Sequence, residues 1–111
     1  MSDYANYMDY ILNKLDERTL LEQLAEEANE LSQAALKLIR AKGLSENVTP
    51  KTEDGVMQNL AEEMMDCSIV MALLSLKDKK IRTAIRQSEG MSENLKWKRW
   101  AERLGYEEEQ K

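Results

Sequence analysis

Apolar residues recur every three to four positions along most of this chain, and few breakers interrupt them. Tyr4, Tyr7, Met8, Ile11, Leu12 and Leu15 follow Ser2 at helical spacing. They predict a first helix, capped by Ser2, that breaks near Asp16 or runs on into the next. A second helix is predicted over residues 19–42, with Arg40 and Lys42 in its last turn and Gly43 as the stop just beyond. The stretch LSENVTPKTE holds the only proline and several cap-type residues, so the main loop is placed at about 43–54. Thr52 or Asp54 then caps a third helix running to about residue 76. A short basic helix over 78–87 follows, Gly90 punctuates, and Ser92 caps a last helix over 93–104 that Gly105 ends. Residues 105–111 read as a frayed tail. The expectation is all-α: one domain over 1–111, a compact bundle of four to five helices.

The third helix departs from simple amphipathicity. Leu60, Met64, Cys67, Met71 and Leu74 form one stripe, while Met65, Ile69, Leu73 and Leu76 lie roughly opposite. A helix apolar on two faces is buried on both. A short chain has few elements to cover them, so oligomerisation through this helix, as a homodimer or homotetramer, is expected.

One motif occurs twice. Residues 24–31 read LAEEANEL and residues 60–67 read LAEEMMDC, 36 positions apart. Glu26, Glu27 and Glu30 correspond to Glu62, Glu63 and Asp66, and an amide precedes each copy, Gln23 and Asn59. With Leu24 at 0°, Ala28, Leu31, Ala35 and Leu38 fall within about 40° of it, and Glu27 sits at about 300°, on the shoulder of the stripe. Gln23 and Glu30 lie just beyond. The second copy repeats this around Leu60, with Glu63 on the shoulder and Asn59 and Asp66 beside it. Packing the two stripes together would make Glu27, Glu30, Glu63 and Asp66 face one another. Two like charges about 4 Å apart cost ~4 kcal/mol at an effective dielectric of ~20. Such carboxylates splay into water, take up protons or hold a divalent cation. Glu26 and Glu62 point further out, as solvated or supporting groups. Any single E-x-x-E on a helix is equally read as an exposed face; the repetition in one register is what favours a metal site.

Composition narrows the chemistry. The chain of 111 residues has no histidine, which removes imidazole catalysis and the usual zinc and di-iron motifs. A metal site here would be all oxygen, suited to Mg²⁺, Mn²⁺ or Ca²⁺. A lone Cys67, on the buried stripe, reads as a packed thiol in a reducing compartment, and the acidic, polar N-terminus does not read as a secretory signal, so a cytoplasmic location is expected. No apolar run is long enough to span a bilayer, so no membrane association is expected. Net charge is −5, yet residues 77–103 carry nine Lys or Arg against four acids, leaving the remainder near −10. Lys96, Arg99 and Arg103 share one face at i, i+3 and i+7. They form either a phosphate clamp or a salt-bridged surface. Trp97, Trp100 and Leu104 share the opposite stripe and read as core or interface. Tyr4, Tyr7 and Tyr10 read as packing, and Met57, Met64, Met65 and Met71 as core filler. A pI near 4.9 and the lack of a recognition helix argue against nucleic acid.

The segments LLEQLAEEANELSQAALKLIR and NLAEEMMDCSIVMALL, with the basic KWKRWAERL, resemble the MazG-like all-α nucleoside triphosphate pyrophosphohydrolases over roughly residues 18–104. The resemblance implies metal ligands at Glu27, Glu30, Glu63 and Asp66, Mg²⁺ as cofactor with Mn²⁺ as a substitute, and an oligomeric bundle. The implied reaction takes a (d)NTP and water to the monophosphate and pyrophosphate. Glu27 or Glu30 would then be the catalytic base, Lys96 and Arg99 would bind phosphate, and Gln23 and Asn59 would contact substrate or metal-bound water. In this chain the spacer between motifs is longish, and Cys67 replaces a usual aliphatic residue. A second reading is a non-enzymatic helical interaction module with an acidic, cation-binding groove.

Overall fold

A computed structural model describes residues 3–44 and 53–107, without the side chains of 90–94. Ser2 and Thr52 as caps, most of the 43–54 loop and residues 108–111 lie outside the described residues. The described residues form four helices: α1 (Tyr4–Lys14), α2 (Glu17–Ala41), α3 (Glu53–Lys77) and α4 (Lys79–Arg103). The fold is all-α. No helix among the described residues is long and apolar enough to cross a membrane.

The α1–α2 break falls at Leu15 and Asp16, where both residues are extended. Asp16 caps α2, its Oδ1 accepting the Thr19 N–H at 2.8 Å. Hydrogen bonding from Thr19, first from its side chain and then from this N–H, holds the Asp16 carboxyl below its ordinary value. At the other end Gly43 adopts φ +70, its N–H donates to the Arg40 carbonyl, and the Leu44 N–H reaches back to Ile39. This paired closure needs a left-handed residue, which is why glycine stands there. The same pair of bonds closes α4: Gly105 at φ +100 donates to Glu102, and Tyr106 donates to Ala101. Both glycine stops expected from the sequence are therefore formed.

The chain divides into two units at Asp78. In the first, α2 and α3 pack along each other as an antiparallel pair. Lys42 Nζ lies 3.5 Å from Glu53 Oε1 at one end. At the other, Glu17 and Asp78 share a carboxyl–carboxylate hydrogen bond, which raises the Glu17 carboxyl above its ordinary value. α1 packs on α3, and Lys77 Nζ donates to the Leu12 carbonyl at 2.6 Å. Tyr4, Tyr7, Met8 and Ile11 of α1 line an apolar pocket of about 190 Å³ with Ile69, Ala72 and Leu73.

The core is narrower than the sequence stripes suggest, and rotated. Leu20 and Ala34 are only 1% exposed, and Val56, Cys67, Val70, Leu73 and Leu74 are also buried. Ala28 and Ala35, expected inside, are exposed, as are Met64 at 56% and Met71 at 48%. The packing face thus centres at about 310° on each helix, so Glu27 and Glu63 lie near its mid-line instead of on its shoulder. Leu20 and Ala34 from α2 and Val56, Val70 and Leu74 from α3 fill that face, and the methionines are left outside. Met57 and Met65 are exposed too, which corrects their reading as core filler. The tyrosines are mostly exposed, with Tyr4 and Tyr7 contributing only to the α1–α3 pocket. On the second face of α3, α1 covers Leu73, while Met65, Ile69 and Leu76 are exposed.

The second unit holds α4 and the residues after it. One helix replaces the two expected: it runs through Gly90, and Ser92 starts nothing new. A glycine inside a helix costs only about 1 kcal/mol relative to alanine, and no proline lies between 79 and 103. The two halves still differ. Ile81 and Ile85 mark one apolar face, and Trp97, Trp100 and Leu104 another rotated from it by roughly 110°. Trp97 and Trp100, read from the sequence as core or interface, are exposed and lie outside a core.

Leu20→Ala should cost about 2–5 kcal/mol in urea unfolding, since it empties a fully buried site on the α2–α3 seam. Ala28→Ser should change stability by less than about 0.5 kcal/mol, because Ala28 lies outside the seam.

Candidate metal centre on the α2–α3 seam

Antiparallel packing brings the two octads to the same level of the bundle. One carboxylate oxygen from each of Glu27, Glu63 and Asp66 lies within 4.8 Å of the others. Glu30, one turn after Glu27, comes within hydrogen-bonding reach of the Glu63 carboxyl. The four acidic residues singled out in the sequence therefore converge. Glu27 and Glu63 are half-buried and form the floor, while Glu30 and Asp66 are exposed at the rim. Glu26 and Glu62 are exposed, in keeping with their reading as outer groups.

The floor is electrostatically unfinished. Gln23 Nε2 donates to Glu27 Oε1 at 2.8 Å, an i, i+4 pair that fixes the Glu27 carboxylate. The second oxygens, Glu27 Oε2 and Glu63 Oε2, are buried and accept no hydrogen bond from the protein. A buried acceptor with no donor costs free energy, and here there are two, on groups of like charge. Burial pushes the Glu63 carboxyl above its ordinary value, and Glu30, Asp66 and Glu27 add to the effect. Beneath them lies Cys67, buried, its thiol raised first by burial and then by the same four carboxylates. It stays a neutral thiol at physiological pH, the packed role expected of it. Asn59, half-buried one turn before Glu63, occupies on α3 the place of Gln23 on α2.

These residues suit a hard divalent cation. All donors are oxygens, at least three reach a common point, and two are orphaned lone pairs that a cation would satisfy. A cation there would also relieve the repulsion that raises Glu63.

The cationic row belongs to the other unit. Lys96, Arg99, Trp100, Glu102 and Arg103 line one open depression along α4. Lys98, off the row, makes an i, i+4 pair with Glu102 at 3.9 Å. Lys96, Arg99 and Arg103 therefore share a face, as their spacing predicts, but Trp100, expected on the opposite stripe, lines the same depression because it stands four residues after Lys96.

No known protein family, characterised protein or solved structure matches the chain.

Glu63 is raised in the folded state, so its protonation favours folding. Stability of the metal-free protein should increase as pH falls from 7.5 toward the ordinary glutamate value of 4.5, and decrease as pH rises through the folded value. Glu17, also raised, adds to the trend, while the lowered Asp16 acts below its ordinary 3.8 and leaves this window unaffected. Thermal melts in chelator should show the trend, and Glu63→Gln should flatten it. Added Mg²⁺ should raise Tm more at pH 7.5 than at pH 5.

Proposed function

We propose that the protein is a Mg²⁺-dependent nucleoside triphosphate pyrophosphohydrolase, converting a (d)NTP and water to the (d)NMP and pyrophosphate. The observation that carries this reading is the pair of buried, unpartnered oxygens on Glu27 and Glu63, clustered with Asp66 and with Glu30 in hydrogen-bonding reach of Glu63. The doubled octad and its resemblance to the MazG-like pyrophosphohydrolases support it, as does the basic face of α4. Mn²⁺ suits the same oxygen donors.

In this reading Glu27, Glu30, Glu63 and Asp66 hold the metal. Bound there, Mg²⁺ supplies charge neutralisation for the triphosphate and acidifies an attacking water. Water adds to the α-phosphorus, the α–β anhydride bond breaks, and pyrophosphate leaves. The water's proton passes to a carboxylate of the floor or rim, Glu27 or Glu30. Glu27 is held in place by Gln23, and Glu30 lies open to solvent at the rim. Lys96 and Arg99 stabilise charge on the departing pyrophosphate. Gln23 and Asn59 flank the carboxylates and orient water or the sugar. The protein works in the cytoplasm as a homodimer or homotetramer.

Glu63→Gln should lower Mg²⁺-dependent pyrophosphate release from its best substrate in a (d)NTP panel by more than ~100-fold, beyond the loss typical of an outer-shell change. Far-UV circular dichroism should show unchanged helicity. Full activity in this variant would refute the assignment. Metal binding by the wild type with no turnover of any nucleotide would instead indicate a cation-binding interaction module.

A further inference from the structure

Among the described residues no side chain of α4 is buried, and its second half leaves its largest apolar groups open to water. Trp97, Trp100 and Leu104 are 66%, 59% and 80% exposed, and Tyr106 follows just past the helix at 58%. With Trp97 at 0°, Trp100, Ala101 and Leu104 all fall within about 60° of it, one apolar sector.

Cations stand at both edges of that sector. Lys96 and Arg103 lie about 100–120° round on one side and Lys98 about 100° round on the other. Arg99 and the acid Glu102 lie on the far face. Arg103 meets the apolar edge directly, lining an open depression with Trp100 and Leu104. Between residues 95 and 106 there are four cations against one acid. Of the four, Lys98 alone is ion-paired among the described residues, with Glu102 at 3.9 Å.

An exposed apolar patch with a polar rim marks contact with a protein or a membrane. The rim decides between them here. A protein partner would have to bring a carboxylate to each side of the stripe, whereas a layer of anionic headgroups supplies charge along both edges at once. Indole and leucine on one face with lysine and arginine beside them suit a helix lying in that layer. Indole rings settle at headgroup depth with the N–H toward water. The stems of lysine and arginine run along the apolar edge and carry their charge to lipid phosphate.

We propose that the second half of α4 adsorbs to the surface of an anionic bilayer, with Trp97, Trp100 and Leu104 in the headgroup layer and Lys96, Lys98 and Arg103 on lipid phosphates. No described helix is long and apolar enough to cross a membrane. Adsorption needs one face of one helix, so it departs from the expectation of no membrane association, which followed from the lack of a spanning run. A single short stripe binds weakly and reversibly. Arg99, turned away from the surface, stays open to a soluble phosphate. The adsorption does not rest on the pyrophosphohydrolase reading.

Trp97 and Trp100 are the only tryptophans of the chain, so intrinsic fluorescence of the full-length protein reports on this helix alone. Vesicles of equal parts phosphatidylglycerol and phosphatidylcholine should move the emission to shorter wavelength, and vesicles of phosphatidylcholine alone should not. Added salt should reverse the shift. K98Q/R103Q should lower the partition constant by about 30-fold, the loss of two surface cations. W97A/L104A should lower it as well, with Trp100 left as reporter and far-UV circular dichroism unchanged. No shift with the anionic vesicles, or the same shift with both compositions, would overturn the proposal. A shift with a single-stranded oligonucleotide and none with vesicles would assign the face to nucleic acid instead. Short-wavelength emission without lipid that moves to longer wavelength on dilution would assign it to a second copy, and would also overturn the proposal.

Discussion

The structure depends on an unfavourable encounter: like charges meeting on a packing seam. Helices α2 and α3 are held together by Leu20, Ala34, Val56, Cys67, Val70 and Leu74, and the mid-line of that contact also runs through Glu27 and Glu63. A seam between two helices is where a carboxylate costs most, because water is scarce and the neighbouring charge has the same sign. The apolar contacts above and below hold the helices together in spite of it. The two buried oxygens without donors are the residue of that conflict. A domain of ordinary stability, roughly 5–15 kcal/mol, carries such a cost where the site has a use for it.

Other features of the first unit keep this seam in register. The Asp16 cap and the Gly43 closure fix where α2 starts and stops, and so fix which of its residues face α3. Lys42 with Glu53 and Glu17 with Asp78 pin the two ends. Lys77 holds the end of α1 against α3 through the Leu12 carbonyl. None of these contacts is strong by itself, since most are exposed. Together they disfavour a slide of one helical turn, which would separate Glu27 from Glu63.

Much of this was legible in the chain. The absence of strand patterning and the two glycine stops gave the helices, and the repeated octad identified the four carboxylates that converge. Two of the differences between sequence and structure have separate physical reasons. The stripe through Leu24 and Leu60 takes the leucine that opens each octad as its centre. The packing face instead runs through Leu20, Ala34, Val56, Val70 and Leu74, one residue position round from that stripe, which puts the glutamates near its centre. The helix 79–103 was divided in two because its apolar residues change face midway and a glycine lies near the change. Periodicity reports which way side chains point. It does not report whether the backbone has stopped. The Gln23–Glu27 hydrogen bond was available from i, i+4 spacing alone, whereas the orphaned oxygens needed the packed pair.

The doubled octad on antiparallel helices has one further consequence. The two copies are related by a local two-fold axis, yet their side chains are not equal in length. Gln23 corresponds to Asn59, Glu30 to Asp66 and Leu31 to Cys67, and each residue on α3 is the shorter. The seam is therefore lopsided in composition, with the longer side chain on α2 at each of these three positions. A ligand held between the two copies meets unequal walls instead of a matched pair. An extended, asymmetric molecule would have a single preferred way round.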